Sequence, residues 1–173
     1  MASASAFTAV SGSGAIAMGV TALGAAALAQ TQSSEQAWLI TWLAEAALAF
    51  CIGAIAMRRK ARAAGALWFS GPGRRFMLSY AAPMVAGVVQ TAALYQAGLG
   101  GFLPGTWLLL YGTAAVAGGV SSIRPIPVAG VCFMALGAAA LCAPTSWGNG
   151  FMAAGFGVVQ IAFGVLIARR YGG

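Results

Sequence analysis

The sequence predicts an all-α integral membrane protein, a bundle of six transmembrane helices paired as three hairpins. Three observations carry that expectation. The 173 residues are 61% hydrophobic and only 6% charged, against roughly 45–50% and 25% in soluble domains. Apolar runs of about 18 or more residues recur, each long enough to cross a hydrocarbon core of ~30 Å. The basic residues fall into clusters separated by pairs of these runs. No polar stretch is long enough to build a soluble domain, so residues 1–173 read as one transmembrane domain.

The expected spans are 6–29, 37–57, 76–97, 104–121, 125–143 and 147–168. The first ends in Ala27-Leu28-Ala29, which resembles a signal-peptidase site, but no Lys or Arg precedes the run, so it is expected to stay as a helix. A polar turn, Gln30–Gln36, leads to span two. A basic loop from Arg58 to Arg75 leads to span three, with Gly71-Pro72-Gly73 turning the chain. That glycine pair is no phosphate loop, because GxxxxGK[ST] is absent. Gly98–Leu103, Ile123-Arg124 and Pro144–Ser146 make the remaining connections, and spans four and five are short.

Orientation follows from the cations. Arg58, Arg59, Lys60, Arg62, Arg74 and Arg75 lie between spans two and three, Arg124 between four and five, and Arg169 and Arg170 after six. With both termini inside, all nine fall on the cytoplasmic face, as loop charge demands. This topology accounts for the net charge of +7, so nucleic acid is not an expected partner. The expected location is the inner membrane of a bacterium, crossed several times. Arg58, Arg59, Lys60, Arg62, Arg74 and Arg75 fix topology and can meet anionic lipid headgroups, with Leu67-Trp68-Phe69 dipping into the interface beside them.

Catalysis is not expected. The chain has no histidine, which removes His-ligated haem and the usual zinc sites. Cys51, Cys132 and Cys142 lie in apolar runs without CxxC spacing and read as small core residues. No Ser–His arrangement or helical carboxylate pair exists, and Glu35 belongs to the outer turn while Glu45 lies within span two. No cofactor, metal or catalytic residue is therefore assigned.

Glu45 is the one acid inside a span, and a charge there costs a few kcal/mol, so such residues face the bundle interior. Thr41 lies one turn away on the same face. Gln90 and Thr91 in span three and Tyr111 and Thr113 in span four share its depth, so these six residues form a candidate polar pocket. The competing reading is interhelical hydrogen bonding that pins the packing. Gln160 falls in the inner half and is set apart. A carboxyl without a basic neighbour in any span is expected to carry its proton and accept compensation from hydrogen bonds. Ala49/Gly53, Ala114/Gly118, Ala115/Gly119 and Ala153/Gly157 are small-xxx-small pairs that let backbones approach. Glycines 14, 19 and 24 cannot share one stripe. Trp38, Trp107, Trp147 and Tyr171 read as interfacial belts.

Internal repetition supports the hairpins. Ala22–Leu28 and Ala135–Leu141 are the same seven residues, and Ile55-Ala56-Met57-Arg58-Arg59 resembles Ile167-Ala168-Arg169-Arg170. Pro104-Gly105-Thr106-Trp107 resembles Pro144-Thr145-Ser146-Trp147. The glycine-bearing helix, outer-turn proline, glycine-bearing return helix and closing arginine, best seen from Met134 to Arg170, resemble the three-hairpin repeat of HdeD-like membrane proteins. The first hairpin lacks the proline. The resemblance implies a link to acid resistance and no catalytic residues. Segments 104–112 and 167–173 also resemble small bacterial inner-membrane proteins of no stated activity. Two functions follow as expectations: a non-catalytic protein acting through helix contacts, in membrane stress or as a subunit of a homo-oligomer or membrane complex, or a small-solute, ion or proton transporter using Glu45.

Overall fold

The computed structural model describes residues 10–63, 72–120 and 122–171, and the described residues are almost wholly helical. Helix α1 (Gly12–Gln30) starts where the Ser11 hydroxyl accepts from the Gly14 amide at 3.3 Å, capping a free N–H. It stops where Thr31 and Gln32 side chains both donate to the Leu28 carbonyl. Helix α2 (Glu35–Ala63) starts the same way, with Ser34 accepting from the Ala37 amide at 3.1 Å. Helix α3 (Pro72–Gln96) ends at Gly98, whose φ of 68° suits glycine and lets the Leu99 amide reach back to the Leu94 carbonyl at 2.9 Å. Helices α4 (Leu103–Gly119) and α5 (Pro125–Cys142) both carry proline in the first turn, where its missing N–H costs nothing.

The sixth rod, Thr145–Tyr171, is composite. A 3₁₀ turn (Thr145–Trp147) leads into α6 (Gly148–Met152), seven π-helical residues (Ala153–Val159) and then α7 (Gln160–Tyr171).

Two boundaries differ from the sequence expectation, and at the second Pro72–Arg75 of the expected loop already belong to α3. Residues 58–63, assigned to a basic loop, continue α2, so Arg58, Arg59, Lys60 and Arg62 project from a helix. Alanine, arginine and lysine are strong helix formers, and no glycine or proline interrupts them before Gly65. Leu67-Trp68-Phe69 and Gly71 lie outside the described residues.

Five helical segments are long and apolar enough to cross a membrane: α1, α2, Arg74–Gln96 of α3, α5 and the sixth rod. The 17-residue α4 spans only about 26 Å at 1.5 Å per residue. It compensates by position, since it is the central helix, with nine buried residues from Leu103 to Gly119. Glycine and alanine make up much of the interior, while large apolar side chains point outward: Phe50 is 76% exposed, Val88 73% and Val85 64%. A bilayer suits that inversion, because lipid removes any drive to bury leucine or valine and leaves close backbone packing as the adhesive.

Two glycine seams hold the bundle. Along α4 and α5, a Cβ on Gly112 would lie 2.6 Å from the Gly130 carbonyl, one on Gly130 2.7 Å from the Gly112 carbonyl, and one on Gly137 2.8 Å from the Gly105 carbonyl. Along α1 and the sixth rod, a Cβ on Gly19 would lie 2.9 Å from the Gly157 carbonyl and one on Gly164 3.0 Å from the Gly12 carbonyl. Both seams are antiparallel, and both use glycines seven residues apart, which return to nearly the same face after two turns. The third hairpin is therefore loosened: α5 packs chiefly on α4, and the sixth rod chiefly on α1. The hairpins α1–α2 and α3–α4 are closely packed, as expected. The repeated heptapeptide is not structurally equivalent, since Gly137 sits in a seam while Gly24 has nothing within 4 Å of a Cβ.

The contacts also separate two ends. Lys60 of α2 donates to the carbonyls of Val10, before α1, and Tyr171, at the end of α7, both at 3.1 Å. Phe76, Ala115, Ile123, Ile126 and Ile167 form an apolar cluster at that same end. All nine basic residues thus flank one end of the rods, while Glu35 lies over Gly100 at the other.

Candidate functional site

Glu45 faces inward on α2, 8% exposed, on the stripe that also buries Leu39 and Trp42. Its Oε1 lies 2.8 Å from the hydroxyl oxygen of Thr21 on α1, and that oxygen lies 2.9 Å from the Met18 carbonyl. The carboxyl is therefore part of the α1–α2 seam.

The other candidate residues do not gather around it. Thr41 turns back to its own helix and donates to the Ala37 carbonyl at 2.8 Å. Thr91 accepts from the indole N–H of Trp107 at 2.8 Å and donates to the Gly87 carbonyl at 2.7 Å, linking α3 to α4. Tyr111 receives the Gln160 amide at 3.1 Å, so the glutamine set apart by depth is its partner. Thr113 is exposed and donates to the Leu109 carbonyl, and Gln90 is exposed. The expected single pocket is thus resolved into separate interhelical bonds at Glu45, Thr91 and Tyr111, a bond of Thr41 within its own helix, and two outward-facing residues. Helix rotation was not readable from the sequence, and Gln160 lies level with Tyr111 rather than apart from it.

Rings fill the space between these bonds. Tyr111 meets Phe133 at 4.7 Å between centroids, Phe156 at 5.1 Å and Tyr80 at 5.8 Å. Phe156 continues to Trp42 at 6.5 Å. Trp38 stacks on Trp107 at 5.7 Å and 6°. Two expected belt residues therefore bridge α2 and α4 instead, because indole stacking and the Thr91 bond reward an inward turn. Trp147 and Tyr171 remain exposed at rod ends. The π-helical stretch supplies Phe156 and, beside it, Gly155, where a Cβ would lie 3.2 Å from the Phe133 ring. Such stretches widen a helix and shift side-chain register.

Asn149, the chain's single asparagine, was passed over in the sequence. It accepts from the Trp42 indole at 3.1 Å and donates to the Ala26 carbonyl at 2.8 Å and the Gln30 amide oxygen at 3.0 Å. One residue thus ties α1, α2 and the sixth rod. Thr21 was passed over as well, although a threonine within an otherwise apolar span was a visible signal.

The cysteines differ from expectation: Cys51 and Cys142 are exposed and Cys132 is half-buried. A thiol is apolar enough to face lipid as well as a core. The basic side chains Arg58, Arg59, Arg62, Arg74 and Arg75 are exposed, whereas the Lys60 ammonium is drawn in by its two carbonyls. Among the described residues, no three Cys, Asp or Glu side chains come together as metal ligands would.

Fold and site together define an all-helical bundle with several helices able to cross a membrane, knit by glycine seams and isolated polar bonds. No protein-family model, curated protein or solved structure matches the chain.

Proposed function

We propose that the protein is a multi-pass component of a bacterial inner membrane that works through helix contacts, without catalysis. The observation that carries this reading is the allocation of its polar groups. Thr21–Glu45, Trp107–Thr91, Gln160–Tyr111 and the Asn149 bonds each join two helices, and packed rings occupy the middle. The outward faces of α2 and α3 carry Phe50 and Val88, suited to lipid or to other helices. The resemblance of residues 134–170 to HdeD-like proteins supports a role in membrane stress.

Photocrosslinkers at positions 50 and 88, activated in native membranes, test the role. Adducts to a second copy or another membrane protein are expected. Lipid adducts alone, together with solute flux in proteoliposomes, would reject it. That outcome would favour the second reading, proton-linked transport, whose supporting observation is the Glu45–Thr21 contact.

The proposed topology has both termini in the cytoplasm. With Cys51, Cys132 and Cys142 replaced by alanine, a cysteine at Ser33 should react with an impermeant thiol reagent from outside, and a reporter after Gly173 should stay inside. Labelling at 33 only after permeabilisation would reverse the orientation.

A further inference from the structure

At the basic end, α1 and α2 flank an open-sided groove of about 530 Å³. Ser11, Ser13, Arg59 and Lys60 line its mouth, and Ala17 and Ile52 lie deeper along the helices. A smaller hollow of about 220 Å³, bounded by Arg58, Arg59 and Arg62, adjoins it through Arg59 and Ile55. The helices run antiparallel there, with a Cβ on Gly14 placed 2.6 Å from Ala56 Cβ and one on Gly53 placed 3.3 Å from Met18 Sδ. The groove therefore grades from cationic and hydroxyl-bearing at its mouth to apolar toward the bundle's middle.

We propose that this groove holds one anionic glycerophospholipid, its phosphate at Arg59 and the Ser13 hydroxyl and one acyl chain along Ala17 and Ile52. The inference rests on the membrane placement proposed above.

Charge names the occupant. The chain has nine basic residues and two acids. Glu35 is at the opposite end, and Glu45 is committed to Thr21. No acidic side chain occurs in the sequence from residue 1 to 10 or between Ala63 and Pro72, so neither segment brings one to the mouth. Arg59 is exposed and makes no hydrogen bond within the described residues, leaving its forked donors for a phosphate. Lys60 spends two donors on carbonyls but keeps its charge beside the site. Basic pockets between helices at the cytoplasmic face recognise anionic headgroups in this way. The apolar depth separates this site from a surface that merely attracts the leaflet.

Native mass spectrometry of the full chain in detergent, with added phosphatidylglycerol or phosphatidylcholine, tests it. One phosphatidylglycerol should be retained in preference to phosphatidylcholine. Arg59→Gln should weaken retention about fivefold, the effect of one cation near a headgroup, and Ala17→Phe should abolish it by filling the exposed groove. Arg170→Gln, at the same end but outside the groove, should leave retention unchanged. Thermal unfolding of each variant in lipid-free detergent confirms that the fold is retained, and Ser13→Ala provides a milder second probe. Equal losses in Arg59→Gln and Arg170→Gln would overturn the site in favour of diffuse attraction. Displacement of the lipid by millimolar inorganic phosphate would also overturn it, marking a free-anion site. Extraction of the protein without detergent would instead refute the membrane reading itself.

Discussion

Gly112→Leu is expected to separate α4 from α5 and leave the protein unable to assemble its bundle. Even Gly112→Ala should lower stability by about 1–3 kcal/mol, the usual cost of overpacking a close-packed interior. The reason is what a new Cβ meets: the Gly130 carbonyl at 2.6 Å and the Met134 amide nitrogen at 2.8 Å. A side chain could rotate aside, but backbone atoms move only with their helix. Moving α5 would also disturb the Gly105–Gly137 contact one seam position away and the Phe133–Tyr111 ring pair. Gly24→Ala is the matched control, because nothing lies within 4 Å of its Cβ. Thermal unfolding in detergent should separate the two alanine variants clearly. Equal melting temperatures would mean that the glycine seam contributes nothing beyond its composition.

The second large effect concerns Glu45. The Thr21 hydroxyl oxygen lies within hydrogen-bond distance of two oxygens, Glu45 Oε1 and the Met18 carbonyl. Threonine has one hydroxyl proton, which these two acceptors share as a three-centre bond. Thr21 is the donor to Glu45, which accepts on Oε1. A charge within an apolar span costs a few kcal/mol, so Glu45 is expected to be a neutral acid in the resting bundle. Infrared difference spectra against Glu45→Gln should reveal a protonated carboxyl near neutral pH, and an ionised band at pH 5 would sink this reading. Glu45→Gln should keep the fold, because its amide oxygen can accept from Thr21 as the carboxyl oxygen does. Glu45→Lys should damage insertion or assembly, since a midplane lysine costs about 2.5–3.5 kcal/mol on insertion scales. Thr21→Val should cost less, roughly 1 kcal/mol, the usual value of one intramembrane hydrogen bond.

The two sites mark how far the chain could be read without its fold. Helix number, approximate boundaries and the gathering of cations at one end follow from hydropathy and charge, which are local or additive along the chain. Helix α2 illustrates the limit of boundary reading: Arg58–Arg62 look like a loop by charge, yet their backbone propensity is helical and the helix simply continues. The burial of Glu45 was also legible, because a lone acid in an apolar span has few affordable places to go.

Which groups meet was not legible. Gln90, Tyr111 and Thr113 share a depth, yet Tyr111 turns inward to Gln160 while Gln90 and Thr113 face outward. A rotation of a helix about its axis leaves depth and hydropathy unchanged, so the sequence alone cannot choose among such arrangements. The seven-residue spacings of Gly105/Gly112 and Gly130/Gly137 were present in the sequence, but only the opposed helices give them meaning. The same holds for Gly12/Gly19 against Gly157/Gly164, which join the first helix to the last. By itself the sequence determined an apolar chain of about six helices, charged at one end and small-residued within. Tertiary structure decided which glycine faces which, because close approach is a property of two backbones at once, and from that choice came the partners of Glu45, Asn149 and Tyr111.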